Sequence, residues 1–138
     1  GRIAGAGTGG LGGGRKSYVD EVTQPLDVLC NEAMNERLER CGHVRVVASE
    51  EDDEPVETGS PSARWVVVHD PIDGSSNIAA GIPVGTIFGV YRAVDGATPE
   101  ENCMQHGEKL RAAGYAVYGA STQLVLSTGG STDAFTLD

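Results

Sequence analysis

The fold is decided by one segment, which reads Trp65-Val66-Val67-Val68-His69-Asp70-Pro71-Ile72-Asp73-Gly74-Ser75-Ser76-Asn77. Its apolar first half is typical of a buried β-strand. We expect this strand to deliver the carboxylates of Asp70 and Asp73 onto a turn whose shape is fixed by Pro71. These carboxylates and the carbonyl of Ile72 would then point at one place, and such hard oxygen donors suit Mg²⁺ or Mn²⁺. The segment therefore predicts a divalent metal site, the alternative being an ordinary polar turn.

The residues after the two carboxylates predict a site for a phosphate group. Gly74 lacks a side chain and would let a phosphate approach the backbone. Ser75 and Ser76 are expected to begin a helix, and a helix N-terminus attracts anions. The candidate phosphate-binding residues are therefore Asp73, Gly74, Ser75, Ser76 and Asn77.

A second acidic run, Ser49-Glu50-Glu51-Asp52-Asp53-Glu54, directly follows a predicted strand at residues 43–48. Two strand ends that carry carboxylates can meet at one edge of a sheet, where α/β proteins place ligands. Glu50 and Glu51 lie nearest the strand and are the better candidate metal ligands. The outer acids at residues 52–54 are interpreted as a solvated loop.

The remaining pattern predicts an α/β protein. A helix is predicted from Pro25 to Cys41, with Pro25 in its first turn and Gly42 just past its end. Its apolar stripe consists of Leu26, Leu29, Ala33, Met34, Leu38 and Cys41. Strands are predicted at residues 43–48, 64–69, 85–91, 112–118, 124–126 and 134–137. This mixture predicts a sheet with helices packed on its faces. Residues 1–14 contain 8 glycines and are interpreted as a loop or linker.

The bulk composition is that of a globular protein of one domain, with a strong acidic excess. The 20 acidic and 10 basic side chains of the 138-residue chain give a net charge of −10. This charge disfavours nucleic acid and anionic membranes as partners, and an anionic substrate would need a bridging metal. Three cysteines without a Cys-x-x-Cys spacing suggest free thiols in a reducing compartment.

Five motifs in this order resemble the fructose-1,6-bisphosphatase family, from about Tyr18 to Asp138. They are Leu26-Asp27-Val28, Ser49-Glu50-Glu51, Asp70 to Asn77, Gly85-Thr86-Ile87-Phe88-Gly89-Val90-Tyr91, and Ala112-Ala113-Gly114-Tyr115 with Tyr118-Gly119. The related inositol monophosphatases usually continue the shared Asp-Pro-Ile-Asp-Gly motif with Thr, so Ser75-Ser76-Asn77 favours the first family. The resemblance implies the layered α/β sandwich of these sugar phosphatases. Residues 15–138 would form a partial N-terminal domain, with the C-terminal sugar-binding domain absent.

The resemblance implies metal-dependent hydrolysis of the 1-phosphate of fructose 1,6-bisphosphate, a step of gluconeogenesis. Two or three Mg²⁺ or Mn²⁺ ions would be held by Glu50, Glu51, Asp70, the Ile72 carbonyl and Asp73. Asp27 and Glu51 would orient and deprotonate the attacking water. Without the resemblance, Asp27 would be interpreted as a first-turn carboxylate stabilised by the helix dipole. The alternatives are a related sugar- or inositol-phosphate phosphatase and a noncatalytic metal-binding fragment.

The resemblance also bears on regulation, assembly and location. The family's AMP site uses a Lys-Tyr pair and an Arg, and Arg64, Trp65 and Arg92 stand at the corresponding positions. The full-length protein would be a homotetramer. The short connection after Arg92 holds only Cys103, so the chain resembles the cytosolic branch of the family, with the chloroplast as the alternative location. His69 stands where Phe is usual and is interpreted as a local packing change.

Overall fold

The computed structural model describes residues 18–60 and 62–138. The linker predicted at residues 1–14, and the start of the domain predicted at residue 15, lie outside this part of the chain. The helices are α1 (Tyr18–Arg40) and α2 (Pro99–Cys103), with 3₁₀-helices at Ser75–Ala80 and Gly107–Lys109. The strands are β1 (Val44–Ser49), β2 (Val56–Glu57), β3 (Trp65–Asp73), β4 (Val84–Arg92), β5 (Ala112–Tyr118), β6 (Thr122–Ser127) and β7 (Thr132–Thr136). No helix among these residues is long and apolar enough to cross a membrane.

The helix α1 begins at Tyr18, so the start predicted at Pro25 is wrong. Pro25 lies inside the helix, where it removes one backbone hydrogen bond. The packing of α1 against β1, β3 and the first 3₁₀-helix outweighs that loss. The predicted apolar stripe is only partly buried, because Leu38 packs on the core whereas Leu29 is 60% exposed. Gly42 follows the helix with a left-handed φ of 72°, as a helix-terminating glycine does.

The strands form one seven-stranded sheet in the order β2-β1-β3-β4-β5-β6-β7. The strands β1 and β3 are parallel, and the other neighbouring pairs are antiparallel. Helix α1 precedes β1 in the chain and packs against both parallel strands. A mixed sheet with a helix packed on it confirms the predicted α/β class.

The core lies where β1, β3 and β4 meet. One buried cluster comprises Val46, Val66 and Tyr91, and a second comprises Val44, Val47 and Val67. Burial decreases toward β7, where Phe135 is 54% exposed. The well-packed end of the sheet is therefore the end that holds the parallel pair β1 and β3 in place.

Gly114 allows β5 to pack closely under an aromatic ring. A Cβ atom at this position would lie 2.7 Å from the ring of Phe88 on β4 and 2.6 Å from the carbonyl oxygen of Val125 on β6. These distances are too short for any side chain, so only glycine fits without a shift of the backbone. The glycine of the Ala-Ala-Gly-Tyr motif is thus explained by packing.

Candidate active site

The ends of β1 and β3 lie side by side because these strands are parallel neighbours. Ser49 pairs with His69 in their register, and the amide of Glu50 donates a hydrogen bond of 2.9 Å to the His69 carbonyl. The chain leaves the sheet at Glu50, directly beside Asp70. The structure therefore brings together the two acidic segments that were predicted to meet at one edge of the sheet.

A bulge in β3 places the carboxylates of Asp70 and Asp73 on one face of the sheet. Asp70 pairs with Ile87 and Asp73 pairs with Gly85, so three steps along β3 match two steps along β4. Cross-strand partners share a face of the sheet, and so do residues two apart on one strand. Ile87 and Gly85 therefore lie on one face, and the extra residue in β3 turns both carboxylates to that face.

The turn predicted at Pro71 is wrong, since β3 continues through this proline to Asp73. A proline has no amide hydrogen to give to a neighbouring strand, and a bulge is one of the few places in a sheet where that loss is tolerated. The carbonyl of Pro71 still bonds to β4, because it accepts a hydrogen bond of 2.7 Å from the Thr86 hydroxyl. The carboxylates are therefore held by a strand and not by the predicted turn.

The carboxylates lie close enough to shift one another's pKa values. Burial, followed by the charge of Glu50, raises the pKa of Asp70, and the charges of Asp73 and Asp27 add to this effect. Burial, followed by the charges of Asp27 and Glu50, raises the pKa of Glu51. Such mutual repulsion favours protonation or the approach of a cation. We refer to Asp27, Glu50, Glu51, Asp70 and Asp73 as the acidic cluster.

The side chain of Asp27 supports a fit between the acidic cluster and a divalent cation. This residue lies on α1, and its Oδ1 atom is buried with no hydrogen-bond partner in the described part of the chain. A buried carboxylate oxygen without a donor is costly unless a cation or another donor meets it. Carboxylate oxygens are the ligands that Mg²⁺ and Mn²⁺ prefer. The chemistry of the donor set therefore fits a hard divalent ion.

The acidic cluster is nevertheless an open arrangement and not a closed coordination shell. Within residues 18–60 and 62–138, no group of three or more His, Cys, Asp or Glu side chains is placed to hold one metal ion. Asp73 is exposed, and Oδ1 of Asp70 turns back to accept a hydrogen bond of 3.0 Å from the Ile72 amide. The ligand set Glu50, Glu51, Asp70, Ile72 and Asp73 thus remains a prediction.

The predicted phosphate-binding residues form a tight turn next to Asp73. Gly74 has a φ of 83°, a conformation that favours glycine. The helix predicted to begin at Ser75 is a 3₁₀-helix of 6 residues without a side-chain cap. Asp73, Gly74 and Asn77 line a cavity of about 230 Å³, whereas Ser75 and Ser76 do not.

The interpretation of Asp52 as a solvated loop residue is wrong. Its side chain is half-buried, with Oδ1 accepting a hydrogen bond of 2.8 Å from Asn31 and Oδ2 one of 2.9 Å from Asn35. Both asparagines lie on α1 at the i, i+4 spacing that puts two side chains on one helix face. That spacing predicts a polar face on α1, but it does not identify the loop of Asp52 as the partner of that face.

The candidate AMP-binding residues lie at the opposite end of β3 from the acidic cluster. Trp65 begins β3 and pairs with Arg92 at the end of β4, and the Arg92 guanidinium lies 5.7 Å from the centroid of the Trp65 ring. Arg64 and Arg92 line a cavity of about 500 Å³. Arg45 lines it too, although no sequence motif identified this residue.

Asp70→Asn is expected to raise the Tm of the metal-free protein at pH 7. The raised pKa means that the folded state binds more protons than the unfolded state between pH 3.8 and the folded pKa of Asp70. The free energy of unfolding therefore falls as the pH rises through this window. This electrostatic penalty is complete above the folded pKa of Asp70. Asparagine removes the penalty, so the gain should vanish near pH 4.

Thermal melts in the presence of a chelator, at pH 4 and pH 7, measure this effect. Asp95→Asn is the control, because a hydrogen bond from Arg45 lowers the pKa of Asp95 and asparagine should bring no gain there. A variant at position 70 that melts at or below the wild-type temperature at pH 7 would contradict the electrostatic account of the acidic cluster.

The fold and the acidic cluster define an α/β domain with a carboxylate-rich candidate site at one edge of its sheet. The family model of the fructose-1-6-bisphosphatase N-terminal domain matches residues 3–138. The chain therefore belongs to the fructose-1,6-bisphosphatase family, as its N-terminal part, which confirms the resemblance seen in the five motifs. Membership of this family implies a divalent metal cofactor in general.

Individual relatives agree with this assignment. The class 1 fructose-1,6-bisphosphatase of Sulfurihydrogenibium sp. (strain YO3AOP1) is 45% identical over 127 residues, which cover 91% of this chain and 38% of the relative. The holo crystal structure of Leishmania major fructose-1,6-bisphosphatase has a TM-score of 0.76 and 39% identity, covering 82% of this chain and 38% of that one. Its T-state structure has a TM-score of 0.75 and 40% identity, with the same coverage. The chain thus spans 38% of the length of the curated relative that it matches.

Proposed function

We propose that the protein to which this chain belongs hydrolyses the 1-phosphate of fructose 1,6-bisphosphate to give fructose 6-phosphate and phosphate in carbohydrate metabolism. The observation that carries the proposal is the convergence of five carboxylates from α1, the loop after β1, and β3. They lie next to a glycine turn at the end of the same strand. This is the combination that a metal-assisted phosphate monoesterase needs.

We assign the metal site to Glu50, Glu51, Asp70, the Ile72 carbonyl and Asp73, with two or three Mg²⁺ or Mn²⁺ ions. When bound, these ions would lower the pKa of a water molecule and neutralise charge on the phosphate. The hard oxygen donors, the orphaned Oδ1 atom of Asp27 and the raised pKa values support this assignment.

The chain's own residues would position the reactants and move the proton. A carboxylate with a raised pKa is a better general base near neutral pH, so Glu51 is suited to accept the proton of the attacking water. Asp27, with its free Oδ1 atom, would orient that water. Gly74 makes a left-handed turn directly after Asp73, where the phosphate would be bound together with Ser75, Ser76 and Asn77. Catalysis of this kind depends mainly on positioning and charge.

Phosphate release by a chain extended to the full length of its relatives tests this function. Glu51→Gln is expected to lower kcat by about 100-fold or more, as the loss of a general base does. Asp53→Asn is the matched control, because it removes an equal charge from an exposed position of the same loop. A wild-type extended chain that releases no phosphate from fructose 1,6-bisphosphate, or a Glu51 variant with undiminished kcat, would contradict the proposal.

We also propose that Arg64, Trp65 and Arg92 contribute to an AMP site. The support is that Arg64 and Arg92 line one cavity, in which two guanidinium groups could meet a phosphate, and that the Arg92 guanidinium packs on the Trp65 ring. AMP added to the same assay should inhibit, and Arg92→Ala should remove the inhibition. Inhibition that survives in this variant would exclude the site.

Location and assembly follow from the family resemblance and from the cysteines. We propose a reducing compartment, the cytoplasm in preference to the chloroplast, because all three cysteines are free thiols. We further propose that the full-length protein is a homotetramer. Subcellular fractionation and sedimentation of the full-length protein would test these two statements.

A further inference from the structure

A set of hydrogen-bonded polar side chains joins the three elements that carry the acidic cluster. Helix α1 carries Asp27, the loop after β1 carries Glu50 and Glu51, and β3 carries Asp70. Each of these elements also contributes to one continuous chain of hydrogen bonds. We call this chain the polar network, and it consists of Asn31, Asn35, Asp52 and His69.

The carboxylate of Asp52 fixes the direction of every bond in the polar network. It accepts hydrogen bonds from Nδ2 of Asn31 at 2.8 Å and from Nδ2 of Asn35 at 2.9 Å. Because a carboxylate accepts and does not donate, the amide nitrogen of Asn35 must face it. Oδ1 of Asn35 then accepts from Nε2 of His69 at 2.9 Å, so the imidazole carries its hydrogen on Nε2.

The polar network is placed where its bonds matter for the local structure. Asn31 and His69 are only 8% and 6% exposed, and breaking a bond between buried polar groups leaves a partner unsatisfied. Both oxygens of Asp52 are engaged with α1, so this residue holds the loop and does not extend the acidic cluster. The buried imidazole of His69 links β3 to Asn35 on α1.

We propose that the polar network positions Glu50 and Glu51 against Asp27 and Asp70. The inference rests on the proposed function, since these carboxylates are the ones assigned to metal binding and water activation. The carboxylates repel one another, and without a tether the loop after β1 would move toward water. Two charge-assisted hydrogen bonds, donated by Asn31 and Asn35 of α1 and accepted by Asp52, oppose that movement. The four network residues are therefore positioning residues.

Amide hydrogen exchange and Mn²⁺ calorimetry on the 138-residue chain test this role in two variants, Asp52→Asn and Asn35→Leu. In the metal-free protein, the Glu50 amide, which is bonded to the His69 carbonyl at 2.9 Å, should exchange about 10-fold faster in both variants. Mn²⁺ affinity should fall by about 10-fold, as it does when outer partners of metal ligands are lost. Asn35→Leu changes no charge, so its effect reports position alone.

Asp53→Asn is the matched control, since it removes one charge from an exposed position beside Asp52 and should leave both readouts unchanged. Unchanged exchange of the Glu50 amide in both variants overturns the inference, as does an equal effect of Asp53→Asn. If Asp52→Asn does not fold, Asn35→Leu decides the question. A wild-type chain that binds no Mn²⁺ contradicts the proposed function, whereas exchange at Glu50 still decides whether the network positions the loop.

Discussion

Residues 1–138 alone are expected to release phosphate from fructose 1,6-bisphosphate at least about 100-fold more slowly than a chain extended to the length of its relatives. The reacting phosphate would meet the acidic cluster and Gly74, but the remote phosphate requires positive charge. No lysine or arginine lines either of the two described cavities that contain Asp70 or Asp73. Contacts with a remote group hold the reacting centre in place, so their loss lowers turnover as well as affinity.

Inorganic phosphate should be measured for the two lengths under the same conditions, over a range of substrate concentrations that separates kcat from KM. Asp27→Ala in the extended chain is the control for contaminating phosphatase, because it should lose the activity that belongs to this site. Comparable kcat values for the two lengths would mean that residues 1–138 already hold a complete site, contrary to the expectation.

Asp73→Ala is expected to weaken the binding of Mg²⁺ or Mn²⁺ to the 138-residue chain by about 100-fold or more, because the loss of an outer partner alone costs 10–100-fold. Asp73 shares a face of the sheet with Asp70 through the bulge in β3, and it raises the pKa of that neighbour. The variant therefore removes one of the charges that make the acidic cluster attractive to a cation.

Calorimetric titration of each variant with MnCl₂ measures this loss. Asp133→Ala offers a matched control, since it removes the same charge from an exposed position on β7. The control should bind Mn²⁺ as the wild type does. If Asp73→Ala binds with the affinity of the control, Asp73 is not a ligand and the predicted metal site is wrong in that respect.

The sequence predicted the central strands well, because buried apolar runs such as Trp65 to Val68 are a strong local signal. It failed where tertiary packing overrode a local rule. Pro25 predicts the start of a helix, but packing against the sheet extends α1 through this residue. Pro71 predicts a turn, but a bulge allows β3 to continue through this residue. The strand β2 has only 2 residues and α2 only 5, too few for any periodicity to be visible.

The acidic cluster could be assembled from sequence because its two main segments each follow a predicted strand. The bulge that turns Asp73 to the side of Asp70 could not, since it depends on the register with β4. The role of Asp52 was also beyond local reasoning, because its partner Asn31 lies 21 residues away. Such a pair becomes visible only when α1 is placed against the loop.

The parallel pairing of β1 with β3 also affects the order in which the chain can fold. Strands β5, β6 and β7 form hairpins between strands that follow one another in the sequence. Strand β1 instead pairs with β3, and β2 lies between them in the sequence. Contacts distant in sequence require the closure of longer loops, which costs entropy and slows their formation. We therefore expect pulsed hydrogen exchange during refolding to protect the amides of β6 before the Glu50 amide. The loop that carries the proposed metal ligands Glu50 and Glu51 would then assemble after the hairpin of β6 and β7.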